Sequence, residues 1–157
     1  MQVEVRLLKN NEVGLLKEFL YEAIFIPEGV TPPPRDIVEK AELRLYIDNF
    51  GTRHGDNCLV AVIENKVVGA VWTRIMNDYG RVDDATPSLA ISLYKDYRGQ
   101  GIGTRLMKEM LSLLKMQGFK KVSLSVQKAN YAVHMYEKVG FHIVDENSEE
   151  YIMVNEL

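Results

Sequence analysis

The stretch from residue 89 to residue 118 constrains the fold more than any other part of the chain. Residues 89–94 form a mostly apolar run that predicts a strand. A glycine-rich turn follows at once, made of Arg98, Gly99, Gln100, Gly101, Ile102, Gly103 and Thr104. Apolar residues at helical spacing then predict a helix over residues 104–117, with Gly118 as its C-terminal cap.

Glycines at such a strand-to-helix junction favour the binding of an anion. Without Cβ atoms, the backbone lets a bulky anion come close, and consecutive N–H groups and the positive end of the helix dipole point toward it. A diphosphate fits a turn of this kind. The alternative interpretation is a glycine-rich turn that only connects the strand to the helix.

Two well-known phosphate-binding loops do not match the sequence. A Walker loop requires a lysine at the helix start, whereas this chain has Gly103 followed by Thr104 and Arg105. A dinucleotide-binding loop requires an acidic residue about twenty positions after its glycines, and that place is taken by Lys121. A nucleoside-triphosphate enzyme is therefore disfavoured.

The spacing Arg98-x-x-Gly101-x-Gly103 resembles the acetyl-coenzyme A loop of the GNAT (Gcn5-related N-acetyltransferase) superfamily. A second block resembles the same family, with Asn130, Tyr136 six residues later, and then Gly140-Phe141. The resemblance is strong over residues 89–141 and elsewhere extends only to the order of elements. It implies an acyltransferase that moves an acetyl group from acetyl-CoA to a primary amine by direct attack.

The resemblance also implies roles for individual residues. Backbone N–H groups from Arg98 to Thr104, including those of Gly99, Gln100 and Ile102, would hold the diphosphate, and the strand near Leu93 would pair with the pantetheine arm. Asn130 would contact the cofactor and also cap a helix. Tyr136 would be the general acid that protonates the departing sulfur. Two alternatives stay open, namely that Arg98 is a solvated turn residue and that Tyr136 only packs in the core.

The base that deprotonates the amine is not evident from the sequence. Relatives often place a glutamate on or just before the fourth strand, but residues 86–89 of this chain contain no carboxylate. Asp83 and Asp84 are the nearest acidic residues, and Ser88 could relay a proton. Two solvated aspartates in a loop, and deprotonation by bulk water, are the competing interpretations.

The rest of the chain predicts a mixed fold. We expect a strand over residues 3–7, an amphipathic helix after Asn10-Asn11-Glu12, a proline-rich loop over residues 26–35 that borders the acceptor pocket, and a helix over residues 37–49. A hairpin follows, with strands over residues 58–63 and 67–76. The predicted class is α/β (α+β), GNAT-like, with a mostly antiparallel sheet of about seven strands and about four helices.

Size and composition limit the function classes. The 157 residues, 46% hydrophobic and 26% charged, fit a single domain over residues 1–157. The net charge of −3 gives no reason to expect binding to nucleic acid or to a membrane. Cys58 is the single cysteine, and the first residues show no export signal, so we expect a cytoplasmic protein. The three histidines are not spaced like metal ligands, so no metal is expected.

Two function classes remain. The first is an N-acetyltransferase whose acceptor is a small-molecule or peptide amine and which could work as a homodimer, as relatives often do. The second is an acetyl-CoA-binding sensor or interaction module with weak or no turnover, suggested by the missing carboxylate near Ser88. Turnover with amines would distinguish them.

Overall fold

A computed structural model describes residues 2–157. Its strands are β1 (Glu4–Leu7), β2 (Asn57–Ile63), β3 (Lys66–Arg74), β4 (Ser88–Leu93), β5 (Lys121–Gln127), β6 (His142–Glu146) and β7 (Glu150–Glu156). Its helices are α1 (Leu15–Glu22), α2 (Ala41–Arg44), α3 (Ile102–Met116) and α4 (Ala132–Lys138). None of these helices is long and apolar enough to cross a lipid bilayer.

The seven strands form one sheet in the order β1-β2-β3-β4-β5-β7-β6. All neighbouring pairs are antiparallel except β4 and β5, which run parallel. The β2–β3 hairpin turns through Glu64 and Asn65, and both have the positive φ angles that a tight hairpin turn needs. The predicted mixed, mostly antiparallel fold with seven strands and four helices is confirmed.

The two faces of the sheet are covered by different helices. On one face, α3 buries Leu106, Met107, Met110 and Leu114 against β-strand side chains. On the other face, α1 buries Leu16, Phe19 and Leu20 against Val60 and Trp72. Because side chains alternate along a strand, β4 contributes Leu89 to the first cluster and Ala90 to the second. This places β4 between both layers, at the centre of the molecule.

The helix predicted over residues 37–49 is wrong in length. The chain forms a short 3₁₀ turn at Arg35–Glu39, takes an extended conformation at Lys40, and is α-helical only over α2. Two backbone positions interrupt the predicted helix, namely Lys40 with ψ 141° and Asn49 with φ +52°. In the turns between α2 and Asn49, the Nη1 of Arg74 donates hydrogen bonds to the carbonyl oxygens of Leu45 (3.3 Å) and Asp48 (2.5 Å).

Candidate active site

A gap in the sheet forms the floor of the candidate site. The parallel strands β4 and β5 are paired only at Ser88 and Ser123, where the Ser123 N–H also donates to the Pro87 carbonyl at 3.0 Å. Past this point β4 stays paired with β3 and β5 with β7, so the two strands diverge toward their carboxyl ends. The edge of β4 around Leu93 is therefore open to a partner other than β5.

A cleft of about 1020 Å³ lies over this gap. Its lining comes from four places in the chain: the end of α1 with the loop after it, the end of β4, the glycine turn, and the start of α4. Of the residues predicted to bind the cofactor or act in catalysis, those that line it are Leu93, Arg98, Gly99, Gly101, Gly103, Thr104, Asn130 and Tyr136. Gln100 and Ile102 belong to the same turn, but they are not among the lining residues.

The glycine turn presents free backbone N–H groups at the start of α3. Gly101 caps this helix with φ +85°, in the left-handed region that favours glycine. The first hydrogen bond of the helix joins the Arg105 N–H to the Gly101 carbonyl, which leaves the N–H groups of Ile102, Gly103 and Thr104 without intrahelical acceptors. Within residues 2–157, no side chain caps them. Three free N–H groups and a 15-residue helix dipole suit the diphosphate of coenzyme A.

Arg98 is held at the edge of the same turn. Its Nε donates to the Leu93 carbonyl at 3.0 Å, and its Nη2 donates to a carboxylate oxygen of Glu22 at 3.1 Å. The side chain is still about half exposed. Arg98 therefore remains a cation at the cleft rather than a residue that is directed away from it.

Tyr136 reaches the cleft from α4. Its side chain is buried, and its ring packs edge-on against Phe141 with centroids 6.0 Å apart. Within residues 2–157, the hydroxyl has no hydrogen-bond partner, but its oxygen atom is not fully buried. It therefore keeps access to the cleft. Burial raises the pKa of Tyr136 to about 12, so the hydroxyl keeps its proton at neutral pH.

Asn130 positions the start of α4. Its side-chain oxygen accepts a hydrogen bond from the Ala132 N–H at 2.9 Å, while the residue also lines the cleft. Asn130 thus satisfies an N–H group at the start of a helix, as the sequence predicts. The helix itself begins at Ala132, so Tyr131 is the residue directly before it.

The three predicted base or relay residues lie outside the cleft lining. The Ser88 hydroxyl donates to Asp78 at 2.9 Å, at the opposite end of β4 from Leu93. Asp83 pairs with Lys121, with 3.5 Å between the charged atoms, and Asp84 pairs with Arg81. Hydrogen bonds from the Thr86 side chain and the Ala85 N–H lower the pKa of Asp83, which makes it a weaker base.

The part of the site that α1 supplies could not be identified from the sequence. Glu22, at the end of this helix, lines the cleft and contacts Arg98. Phe25, Ile26 and Pro32 follow as an apolar wall. The proline-rich loop was predicted to border the acceptor pocket, but no motif marks the end of α1, because its place depends on packing against β4.

The proline-rich loop is fixed against α1. The Tyr21 hydroxyl donates to the Pro33 carbonyl at 2.6 Å, and the Arg35 guanidinium lies 4.4 Å from the centre of the Tyr21 ring. Gly29, with φ +79°, allows the turn that places Glu28 beside the cleft. The loop therefore forms a preformed side of the cleft.

Comparison with known proteins agrees with this architecture. The fold is similar to that of the PaiA N-acetyltransferase from Thermoplasma acidophilum in its complex with coenzyme A, with a TM-score of 0.74, 21% identity, and coverage of 100% of both chains. The two proteins thus share a fold. The model of the acetyltransferase (GNAT) family matches residues 23–141, and the chain belongs to this family.

Two relatives show how far the sequence similarity extends. The probable N-acetyltransferase camello of Xenopus laevis is 36% identical over 101 residues, which are 62% of this chain and 44% of that protein. The ribosomal protein bS18-alanine N-acetyltransferase of Haemophilus influenzae is 34% identical over 98 residues, which are 62% of each protein. The matched region therefore spans between about two-fifths and three-fifths of these relatives.

Proposed function

We propose that this protein is an acetyl-CoA-dependent N-acetyltransferase that acts on a primary amine of a small molecule or a peptide. The observation that supports it most directly is a single cleft that contains both an anion-binding helix start at Gly101 and the protonated hydroxyl of Tyr136. The GNAT family match and the named acetyltransferase relatives point to the same reaction.

The residues of the cleft fit acetyl-CoA. The free N–H groups of Ile102, Gly103 and Thr104, with the Arg98 cation beside them, would hold its diphosphate. The open edge of β4 at Leu93 would hydrogen-bond the pantetheine arm as a strand partner. Acetyl-CoA supplies an activated thioester, so the protein has to bind, orient and transfer protons.

The proton transfers balance with the residues present. The amine nitrogen forms a bond to the acetyl carbon while the carbon–sulfur bond breaks, and Tyr136 donates its proton to the sulfur that leaves. The nitrogen then releases its second proton to solvent, and the tyrosinate regains a proton from solvent. The attacking ammonium must first lose a proton. We assign this step to solvent reaching the cleft, with Asp83, Asp84 and Ser88 as weaker candidates, because none of the three lines the cleft. Holding the amine beside the thioester would supply much of the acceleration.

The acceptor would enter beside the proline-rich loop. Phe25, Ile26 and Pro32 offer apolar contact, and Glu28 offers a carboxylate to an ammonium group. Among the relatives, one name specifies an alanine of ribosomal protein bS18 and another mycothiol, so both peptides and small molecules are candidate acceptors. The single-domain organisation, the cytoplasmic location and the homodimer stay predictions.

Amine-dependent thiol release from acetyl-CoA tests this function. The purified protein is incubated with acetyl-CoA and a panel of primary amines and peptides, and free thiol is measured with a chromogenic disulfide. We expect saturable release with at least one amine class. Tight binding of coenzyme A without amine-dependent release across the panel would instead favour the sensor role, which the family match does not favour.

A further inference from the structure

The Arg98 side chain is fixed by contacts to two parts of the cleft. Its Nε donates to the Leu93 carbonyl at 3.0 Å on β4. Its Nη2 donates to Glu22 at the end of α1, at 3.1 Å to the carboxylate and 3.4 Å to the backbone carbonyl. The Glu22 side chain is only 16% exposed, whereas Arg98 is 48% exposed. Arg98, at the edge of the cleft, is thus held by the largely buried carboxylate of Glu22.

Nothing in α1 itself explains a carboxylate at position 22. A negative charge at the carboxyl end of a helix faces the negative end of the helix dipole, which is unfavourable. In α1, no basic residue lies in the last turn to compensate. A carboxylate beside a diphosphate site would also repel the ligand. The contact to Arg98 is the feature that offsets both effects.

Some N–H donors of Arg98 remain free when Glu22 and Leu93 hold its side chain. A guanidinium group has five N–H donors in a rigid plane, and the contacts to Leu93 and Glu22 involve only Nε and Nη2. Among residues 2–157, Nη1 has no acceptor. Arg98 lines the cleft together with the glycine turn, where the diphosphate would lie. Because the guanidinium group is held through Nε and Nη2, its remaining donors stay available for that anion.

We propose that Glu22 is a positioning residue that orients Arg98 toward the diphosphate of the acyl donor. This inference rests on the proposed function, and it adds a residue of α1 to cofactor recognition by the glycine turn. An exposed arginine loses conformational entropy when it binds a ligand. An arginine whose side chain is already fixed by other contacts loses less of this entropy. Glu22 would therefore increase affinity for coenzyme A, although its own charge repels phosphate.

The test compares a ligand that has the diphosphate with one that lacks it. In Glu22→Ala, we expect the dissociation constant of coenzyme A, measured by titration calorimetry, to rise about five-fold, since one oriented charged hydrogen bond is weakened. We expect kcat/KM to fall less for S-acetylpantetheine, which has no diphosphate, than for acetyl-CoA. Glu22→Gln keeps an acceptor oxygen for Arg98 and should recover most of the affinity.

Glu18→Ala is the matched control. Glu18 lies one turn earlier on α1, and its carboxylate accepts a hydrogen bond from the Tyr94 hydroxyl instead of from Arg98. This variant removes the same charge from the same helix, and it should bind coenzyme A as tightly as the wild type or slightly more tightly.

Three results would count against these conclusions, and they can be told apart. Equal or tighter coenzyme A binding by Glu22→Ala would show that Glu22 acts only as a repelling charge, and the inference would fail. An equal loss with S-acetylpantetheine would show that Glu22 supports the cleft in general, and the inference would also fail. A wild-type protein that does not bind coenzyme A would overturn the proposed function itself.

Discussion

At the scale of single residues, Tyr136 is the side chain whose environment is best suited to a chemical role. Its ring is packed in the core against Phe141, which fixes the position of the hydroxyl. Burial raises the pKa of Tyr136 to about 12, so the proton stays on the oxygen through the neutral range. The raised pKa keeps the hydroxyl protonated but also makes it a weaker acid, so its fixed position at the cleft is the feature that suits proton donation. The core-packing interpretation accounts for its ring as well.

Replacing Tyr136 with Phe tests this role with little change in packing. We expect kcat to fall about 100-fold, in the range for loss of a general acid, while the affinity for coenzyme A changes less than about two-fold. Because the raised pKa keeps the hydroxyl protonated below about pH 12, Tyr136 should not itself produce a loss of activity between pH 6 and 10. Steady-state thiol release and calorimetry check both points, and a wild-type rate in this variant would rule out the acid role.

The residues of the candidate site were predictable from the sequence only where a motif fixes them. Tyr136 and Gly101 each follow a local spacing, and the structure brings both to one cleft. Glu22 has no such signal, because it meets Arg98 across 76 positions of the chain, through the packing of α1 on β4. A base could not be identified among the loop carboxylates for a similar reason. Contacts in this loop, such as that of Asp78 with Ser88, depend on tertiary structure.

At the scale of elements, α3 and α2 show when a helix can be predicted from the sequence. The long helix α3 has a continuous apolar stripe and a glycine at each end, so local signals agree with its tertiary packing. The segment around α2 also has amphipathic spacing, but it is extended at Lys40, and the buried Arg74 side chain binds the Leu45 and Asp48 carbonyls in the turns that follow α2. A cation from a distant strand leaves no trace in the local pattern.

The two glycines that flank α3 allow backbone strain to be separated from cofactor binding. Gly101 has φ +85° and Gly118 has φ +92°, and an added Cβ would contact nothing within 4 Å at either position. We expect Gly101→Ala and Gly118→Ala each to lower the free energy of unfolding by about 1 kcal/mol, because alanine is strained at such φ angles. Only Gly101→Ala should also weaken coenzyme A binding, since its methyl group lies at the diphosphate site.

Chemical denaturation and calorimetry on both variants provide the comparison. Gly118→Ala is the control, because it carries the same kind of strain at the other end of the helix and does not line the cleft. A similar loss of coenzyme A affinity in both variants would mean that helix stability, and not access to the turn, controls binding.

At the scale of the whole molecule, the cleft weakens the sheet at its centre. The register between β4 and β5 consists of one residue pair, so β1–β4 and β5–β7 are joined mainly by the helices and loops packed on them. The strand over residues 89–94 was predicted from the sequence, and the family resemblance implied its pairing with the pantetheine arm. The sequence did not predict the buried ion pair of Arg74 and Asp56, whose side chains are 0% and 1% exposed. This pair fixes the loop before β2 and the segment after α2 to the end of β3.

Removing the Asp56 charge should therefore affect stability far more than removing a charge at the surface. In Asp56→Asn, the buried Arg74 guanidinium loses its counterion, and we expect the free energy of unfolding to fall by about 3 kcal/mol, a large part of the 5–15 kcal/mol typical of a domain. Burial opposes ionisation of Asp56, but hydrogen bonds from Arg74 and from the N–H groups of Arg53 and Gly51 outweigh it and lower its pKa. The stability difference between wild type and variant should thus be full above pH 3.8, the ordinary value, and shrink as the pH falls below it.

Asp48→Asn is the matched control for this prediction, because Asp48 forms an exposed pair with Arg44 and its side chain is 43% exposed. We expect that change to lower stability by no more than about 0.5 kcal/mol. Urea unfolding followed by circular dichroism measures both variants, and coenzyme A affinity should stay unchanged in both because neither side chain lines the cleft. Equal stability losses in the two variants would mean that the Arg74–Asp56 pair is no more important for stability than a surface contact.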